Sequence, residues 1–313
     1  MLRIILRRLG ATIPVMLVVA VVVFLMLHLS NGDPAAIIAG DNATPEDIAQ
    51  IRISLGLDRP LVEQFAQWIW QLAHGDLGAS IFNRVPVSTM IAQRVEPTLA
   101  LTVLTMTIAV MLAIPLGVLA AWRVGTWVDH AIMALAVAAF SCPVFLIGYA
   151  LVGQFARTWK ILPVQGYTPI AEGLVPFLLH LALPAVSLGL IYTALLARMT
   201  RSTMLEVLGE DYIRTARAKG LGVMPVLLRH GLRNAAVPIV TTIGLGIALL
   251  IGGVVVAESV FAIPGIGRLT VEALQQRDYP VIQGVILVSS LVYVLVNLLI
   301  DLSYLLLDPR IRY

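Results

Sequence analysis

The chain has 313 residues, of which 59% are apolar and 12% charged, with 21 Lys and Arg against 18 Asp and Glu. Ordinary soluble domains carry about 25% charged residues, so this composition excludes a soluble globular protein. A net charge of +3 with two lysines, Lys160 and Lys219, gives no sign of a nucleic-acid binder. The single cysteine, Cys142, lies in an apolar run and reads as a small packing residue.

A stretch of about 20 uncharged residues, rising about 1.5 Å each, crosses the hydrocarbon layer of about 30 Å. Six runs free of Asp, Glu, Lys and Arg qualify: 9–32, 97–122, 130–156, 173–197, 234–257 and 279–300. All are expected to be helices, because lipid-exposed backbone must satisfy its own hydrogen bonds. The first follows Arg3, Arg7 and Arg8. It exceeds a signal-peptide core of about 7–15 residues and no small-x-small cleavage site follows closely, so it reads as a retained span.

Basic residues set the orientation. With the N-terminus inside, the inner segments hold thirteen over roughly 66 positions and the outer segments eight over roughly 100. The inner loop 198–233 alone carries seven. The expected fold is therefore an all-α integral membrane protein of six transmembrane helices, both termini cytoplasmic, with a long helical outer segment after the first span. Residues 1–96 would form that first helix and the extracytoplasmic segment, and 97–313 a five-helix core.

In the outer segment, Thr44-Pro45-Glu46-Asp47 is an N-cap followed by proline and acids in the first turn, and Gly56 supplies a stop, predicting a helix near 45–55. A second helix is expected from Pro60 to just before Gly75. Leu61, Phe65, Trp68, Ile69 and Leu72 share one of its faces. This helix either lies at the membrane surface, caps the outer mouth, or packs within an external subdomain.

The inner loop reads as a helical hairpin. Glu206 to Lys219 are mostly helix formers, Gly220 is placed as a C-cap, and Pro225 can open a second helix toward the fifth span. Between them the tip Leu221-Gly222-Val223-Met224 is apolar, ringed by Arg214, Arg217, Lys219, Arg229 and Arg233. An apolar loop tip marks a docking point; the alternative is contact with lipid headgroups beside a plain positive-inside signal.

The run from Glu210 to Leu221 and the run Leu227-Leu228-Arg229-His230-Gly231-Leu232-Arg233-Asn234-Ala235 resemble the cytoplasmic signature of type I, binding-protein-dependent ABC importer permeases of the dipeptide, oligopeptide and nickel branch. Further agreement lies in Leu29-Ser30-Asn31-Gly32-Asp33-Pro34, Leu55-Gly56-Leu57-Asp58-Arg59-Pro60, Gly75-Asp76-Leu77-Gly78, Pro264-Gly265-Ile266-Gly267-Arg268, Arg277-Asp278-Tyr279-Pro280 and the final Asp308-Pro309-Arg310-Ile311-Arg312-Tyr313. The general signature, E-A-A-x3-G-x9-I-x-L-P, aligned on Gly220 keeps Ala216, Gly220 and Leu232 but puts Arg214 and Thr215 at its first two positions. An acidic contact from position 214 is therefore not carried over.

The resemblance implies that Arg214, Thr215, Ala216, Arg217, Lys219, Gly220, Leu221, Gly222, Val223 and Met224 form the coupling helix seated on a separate ATPase. It also implies a second homologous permease, two ATP-binding subunits holding ATP and Mg, an extracytoplasmic solute-binding protein, the inner membrane of a prokaryote, and a peptide-like passenger. The turn containing Phe261, Pro264, Gly265 and Gly267 reads as an outer gate or docking contact, or as a plain surface connector.

Chemistry in the chain itself is sparse. Neither lysine sits in a Gly-Lys-Ser/Thr loop, so no nucleotide cradle and no cofactor site is expected here. The five histidines fall in five segments without metal-ligand or triad spacing, so no metal site is expected. His180 is the one placed within a span, either against substrate or as a packed neutral histidine. Ser141, Thr241 and Thr242 are the polar span residues chosen as lining the passenger's route. The absence of Asp, Glu, Lys and Arg from the runs argues against the rival reading, an ion-coupled secondary transporter.

Overall fold

The computed structural model describes residues 2–29, 34–39, 44–54 and 56–307. The segments Ser30 to Asp33 and Asp308 to Tyr313, and Leu55, which carried part of the resemblance, lie outside the described residues.

In chain order the helices begin with α1 (Leu2–Leu29), α2 (Pro34–Ala39), α3 (Pro45–Ser54) and α4 (Leu61–Ala73). A long α5 (Val87–Trp122) follows, then α6 (Trp127–Ser141) and α7 (Val144–Leu151), the last running on as a π-helical turn, Val152–Thr158. Next come α8 (Leu174–Leu208), α9 (Asp211–Ala218) and the short α10 (Val223–Pro225), which passes through a second π-helical turn, Val226–Leu232, into α11 (Arg233–Val260). The chain closes with α12 (Ile266–Gln276) and α13 (Tyr279–Leu307). Among the described residues, the strand-like pairing is one isolated bridge, Ala79 to Pro86.

The two helices expected in the segment after α1 are present. Thr44 caps α3 reciprocally: Asp47 N donates to Thr44 Oγ1 at 3.2 Å, and Thr44 N donates to Asp47 Oδ2 at 3.0 Å. The Thr44 hydroxyl also donates to Asp47 Oδ2 at 2.7 Å, and this bond first, with the one from Thr44 N second, holds the Asp47 carboxyl below the usual carboxylate range. Gly56 ends the motif at φ +67, a conformation that costs a side-chain-bearing residue more than glycine.

Among the described residues, four helical stretches are long and apolar enough to cross a membrane: Val87–Trp122, Leu174–Leu208, Val223–Leu250 and Tyr279–Ser303. α1 contributes a shorter apolar stretch, Gly10–Met26. The run 130–156 departs from the expectation of one helix. It forms α6 and α7, bent by 101°. Pro143 has no N–H to continue α6, and Cys142 before it is pushed to an extended conformation, φ −85 and ψ 128. The helix ends of the hairpin also differ: α8 runs on to Leu208, the chain breaks at Gly209-Glu210, and the second arm starts at Val223 with Pro225 inside its first turn, where proline is tolerated.

The chain divides into two compact units. In the first, Met1–Val95 with Leu269–Val294, α4 packs Phe65 and Trp68 on Phe24 of α1, with ring centroids 5.2 and 5.7 Å away. Asp278, 2% exposed, accepts the Ser80 hydroxyl at 2.5 Å and Ile81 N at 3.2 Å, and Arg94 pairs with Glu272 at 3.1 Å. The second unit, Glu96–Arg268 with Leu295–Tyr313, is built on buried Leu101, Leu181, Leu188, Leu196, Leu250 and Val254. There, Gly244 of α11 lies directly against Ile300 of α13, where a Cβ would not fit.

Candidate functional site

Three places in the second unit gather the residues that matter: the hairpin 209–232, the helix ends that seat it, and the turn after α11. The hairpin has its own small core. Ile213, Ala216 and Val226 are buried together, with Leu208 and Leu221 packed on them. Leu221 is thus part of the support, and the exposed apolar tip is Val223 and Met224, with Leu228 also exposed about one turn further along the second arm. Gly220 closes α9 at φ +79, as its sequence position implied, and Gly220 N donates to Arg217 O at 2.9 Å.

Arg214, Thr215, Arg217, Lys219 and Gly222 are exposed around that tip. Arg214 pairs with Asp211 at 3.3 Å in solvent, a pairing that contributes little. Thr215 donates its hydroxyl to Asp211 O at 3.0 Å. Burial, with the neighbouring Glu210 charge, raises the Tyr212 phenol above its ordinary value. Trp122, Arg217, Leu221, Val223, Val226 and Leu227 line a cleft of about 310 Å3 at the root of the hairpin.

Above the hairpin, Asp129 and Arg201 form a two-pronged pair, Nε to Oδ1 at 2.6 Å and Nη2 to Oδ2 at 2.7 Å. Asp129 Oδ2 also accepts Gly125 N at 3.0 Å, closing the turn between α5 and α6. Nearby, Gly117 of α5 touches Thr200 and the Ala197 carbonyl of α8 so closely that a Cβ there would meet the carbonyl at 2.8 Å.

The turn after α11 is organised by Glu258, which is fully buried. Its Oε1 accepts the Thr98 hydroxyl at 2.6 Å and its Oε2 accepts Arg268 N at 2.8 Å, while Thr98 Oγ1 accepts Ile266 N at 2.8 Å. The carboxylate therefore sits at the N-terminus of α12, where free N–H groups favour a negative charge. Gly265 and Gly267 are buried against it, and a Cβ on Gly265 would fall on the carboxylate itself. Pro264 is exposed. Phe261 is a core residue, 2% exposed, with its ring on Gly148 and its carbonyl accepting Gly166 N at 2.9 Å.

The residues chosen for the passenger's route each sit in a local setting. Thr241 and Thr242 donate to Val237 O at 2.8 Å and Pro238 O at 2.9 Å, one turn back. His180 lies in the second turn of α8, its Nδ1 2.9 Å from Pro176 O and 3.2 Å from Thr168 Oγ1, so it ties the preceding loop to the helix. Tyr167 in that loop donates to Glu96 at 3.0 Å; burial first and this carboxylate second push its phenol well up. Ser141 is the exposed last residue of α6, at the break.

Sequence reasoning missed Glu258, Thr98, Asp129 and Arg201. The available signal was positional: Asp129 and Glu258 are the charges bordering two uncharged runs.

Residues 113–313 match the family described as the binding-protein-dependent transport system inner membrane component, and residues 1–102 match its N-terminal membrane component. The chain belongs to this permease family. The permease is 53% identical over 309 residues to the probable peptide ABC transporter permease protein y4tP of Sinorhizobium fredii, covering 99% of each chain. It is 43% identical over 337 residues to the dipeptide transport system permease protein DppB of Escherichia coli, covering 100% of this chain and 99% of that one. Its fold is similar to the inward-facing MetNI methionine ABC transporter, with a TM-score of 0.57 at 18% identity, covering 70% of the permease and 96% of that chain.

Proposed function

We propose that the permease is one of two related membrane subunits of an ATP-driven importer, and that it carries peptides or peptide-like solutes inward by alternating access. Both termini and the 198–233 hairpin then face the cytoplasm, with residues 97–313 as the transport core. Two ATPase subunits holding ATP and Mg bind the hairpin through Val223, Met224 and the basic rim, and a solute-binding protein docks on the opposite side at the turn after α11. The chain itself holds no cofactor. It contributes no bond chemistry: ATP binding elsewhere draws the hairpins together and the attached spans change which side the cavity faces.

The observation that carries this reading is the hairpin, an apolar tip left exposed on a packed base and rimmed by Arg214, Arg217 and Lys219. Such a surface suits a groove with acidic edges. The peptide class follows the similarity to the peptide and dipeptide permeases of Sinorhizobium fredii and Escherichia coli. The test is reconstitution of the complete transporter in liposomes with a labelled dipeptide. Uptake should require the binding protein and ATP and should not respond to a proton or sodium gradient. Uptake by the permease alone, or driven by an ion gradient, overturns the reading.

A further inference from the structure

Two arginines one turn apart on α8 are used differently. Arg201 is engaged by Asp129 near the start of α6. Arg198 has no acidic partner among the described residues; its guanidinium carbon lies 5.4 Å from the ring centroid of Phe140, near the far end of α6. Phe140 follows Asp129 by eleven positions, a rise of about 16 Å along the helix. Side chains on a helix lean toward its N-terminus, so Arg198 and Phe140 lean toward each other along the membrane-crossing stretch. The guanidinium thus points into the apolar run 173–197 rather than out past its end.

A guanidinium directed into a membrane-crossing region is costly unless it faces water or a partner charge. The edge around it is mixed: Leu135 and Val137 of α6 are exposed apolar side chains, and the polar groups gather at the end of the helix. Phe140 is 50% exposed, Ser141 next to it is exposed, and Pro143 supplies no N–H to the last carbonyls of α6. A guanidinium held over an aromatic face is a fork-shaped donor pre-set for a planar oxyanion.

We propose that Arg198, with Phe140 and Ser141 beside it, lines the aqueous route and receives the carboxylate of the passenger peptide. This deepens the reading above and rests on it. Arg198 is a specificity residue for the anionic end of the cargo, and the edge between α6 and α8 is where that cargo passes.

The complete transporter in liposomes gives the test. In a Cys142→Ala background, Phe140→Cys is exposed to a membrane-impermeant thiol reagent, with and without a dipeptide delivered by the binding protein. Separately, uptake of the dipeptide and of its C-terminal amide is compared for the parent, Arg198→Gln and Arg198→Lys at saturating loaded binding protein, so that the binding protein's own preference cancels in the ratio. Phe140→Cys should react and be protected by the peptide. Arg198→Gln should lower the dipeptide-to-amide ratio by about tenfold, the worth of one charge-assisted hydrogen bond, with Arg198→Lys between the two. An unreactive Phe140→Cys, an equal loss for both peptides in Arg198→Gln, or a loss that added anionic lipid reverses overturns the proposal, the last assigning Arg198 to a lipid phosphate. Absence of ATP-dependent dipeptide uptake by the parent overturns the peptide reading instead, and the thiol reaction then still decides whether this edge is wet.

Discussion

The Asp129–Arg201 pair allows a quantitative test of what holds α6 to α8. The Asp129 side chain is 4% exposed and the Arg201 side chain 26%, so the acid is the desolvated partner. Arg201→Met leaves that carboxylate with the Gly125 N–H as its hydrogen bond. Removing one member of a buried pair costs about 3–5 kcal/mol, whereas replacing both with apolar groups is often close to neutral. At about 2–4 °C per kcal/mol for a chain of this size, Arg201→Met should lower the melting midpoint by about 6–20 °C. Asp129→Leu with Arg201→Met should recover most of that loss. The assay is thermal melting of the detergent-solubilised permease, read by loss of the monodisperse chromatographic peak, with parent and variants heated at one rate. Arg201→Met melting within about 2 °C of the parent refutes the energetic argument. So does a double variant no more stable than Arg201→Met.

Two further outcomes follow from the geometry. Gly265→Ala places a methyl group on the Glu258 carboxylate and should impair assembly more than Pro264→Ala at the exposed neighbour, while Glu258→Gln, which keeps the shape but loses the charge at the α12 N-terminus, should show a smaller loss; limited proteolysis after Arg268 reads both. Val223→Asp with Met224→Asp, leaving the supporting Leu221 intact, should abolish co-purification of the ATPase while membrane insertion is unchanged, and retained co-purification would contradict the docking role.

Features encoded within a few residues were legible before the structure. Thr44 with Asp47 gave the start of α3, Gly220 gave the end of α9, and the uncharged runs gave the long helices, because each rests on local backbone chemistry or on composition. The angle at Pro143 was not legible, since a proline predicts that a helix stops without saying where the chain turns next. Pairings across distance were hidden as well. Thr98 and Glu258 are 160 positions apart, Asp129 and Arg201 are 72 apart, and spacing of that length carries no geometric information. His180 was placed by its uncharged run, but its partner in the preceding loop, Thr168, could not be read from the run alone.

In the proposed cycle the same contacts decide where a displacement of the hairpin would be absorbed. Gly117 seats α5 against the α8 backbone, and Asp129 with Arg201 fixes α6 to α8, so these three helices meet through close backbone packing and a two-pronged ion pair. Such contacts resist sliding, because any shift opens a void or strands a charge. The hairpin is anchored to this group through Met204, which is fully buried beside Leu227 and touches the position where a Cβ on Gly231 would stand. The second arm is built differently. Between Val226 and Leu232 it is π-helical, and at Pro238 a backbone donor is missing. π-helical turns and prolines are where helices bend. In the proposed cycle, a displacement of the tip would be carried into α8 as a rigid push and into α11 through a compliant joint, letting α11 change its angle against the group formed by α5, α6 and α8.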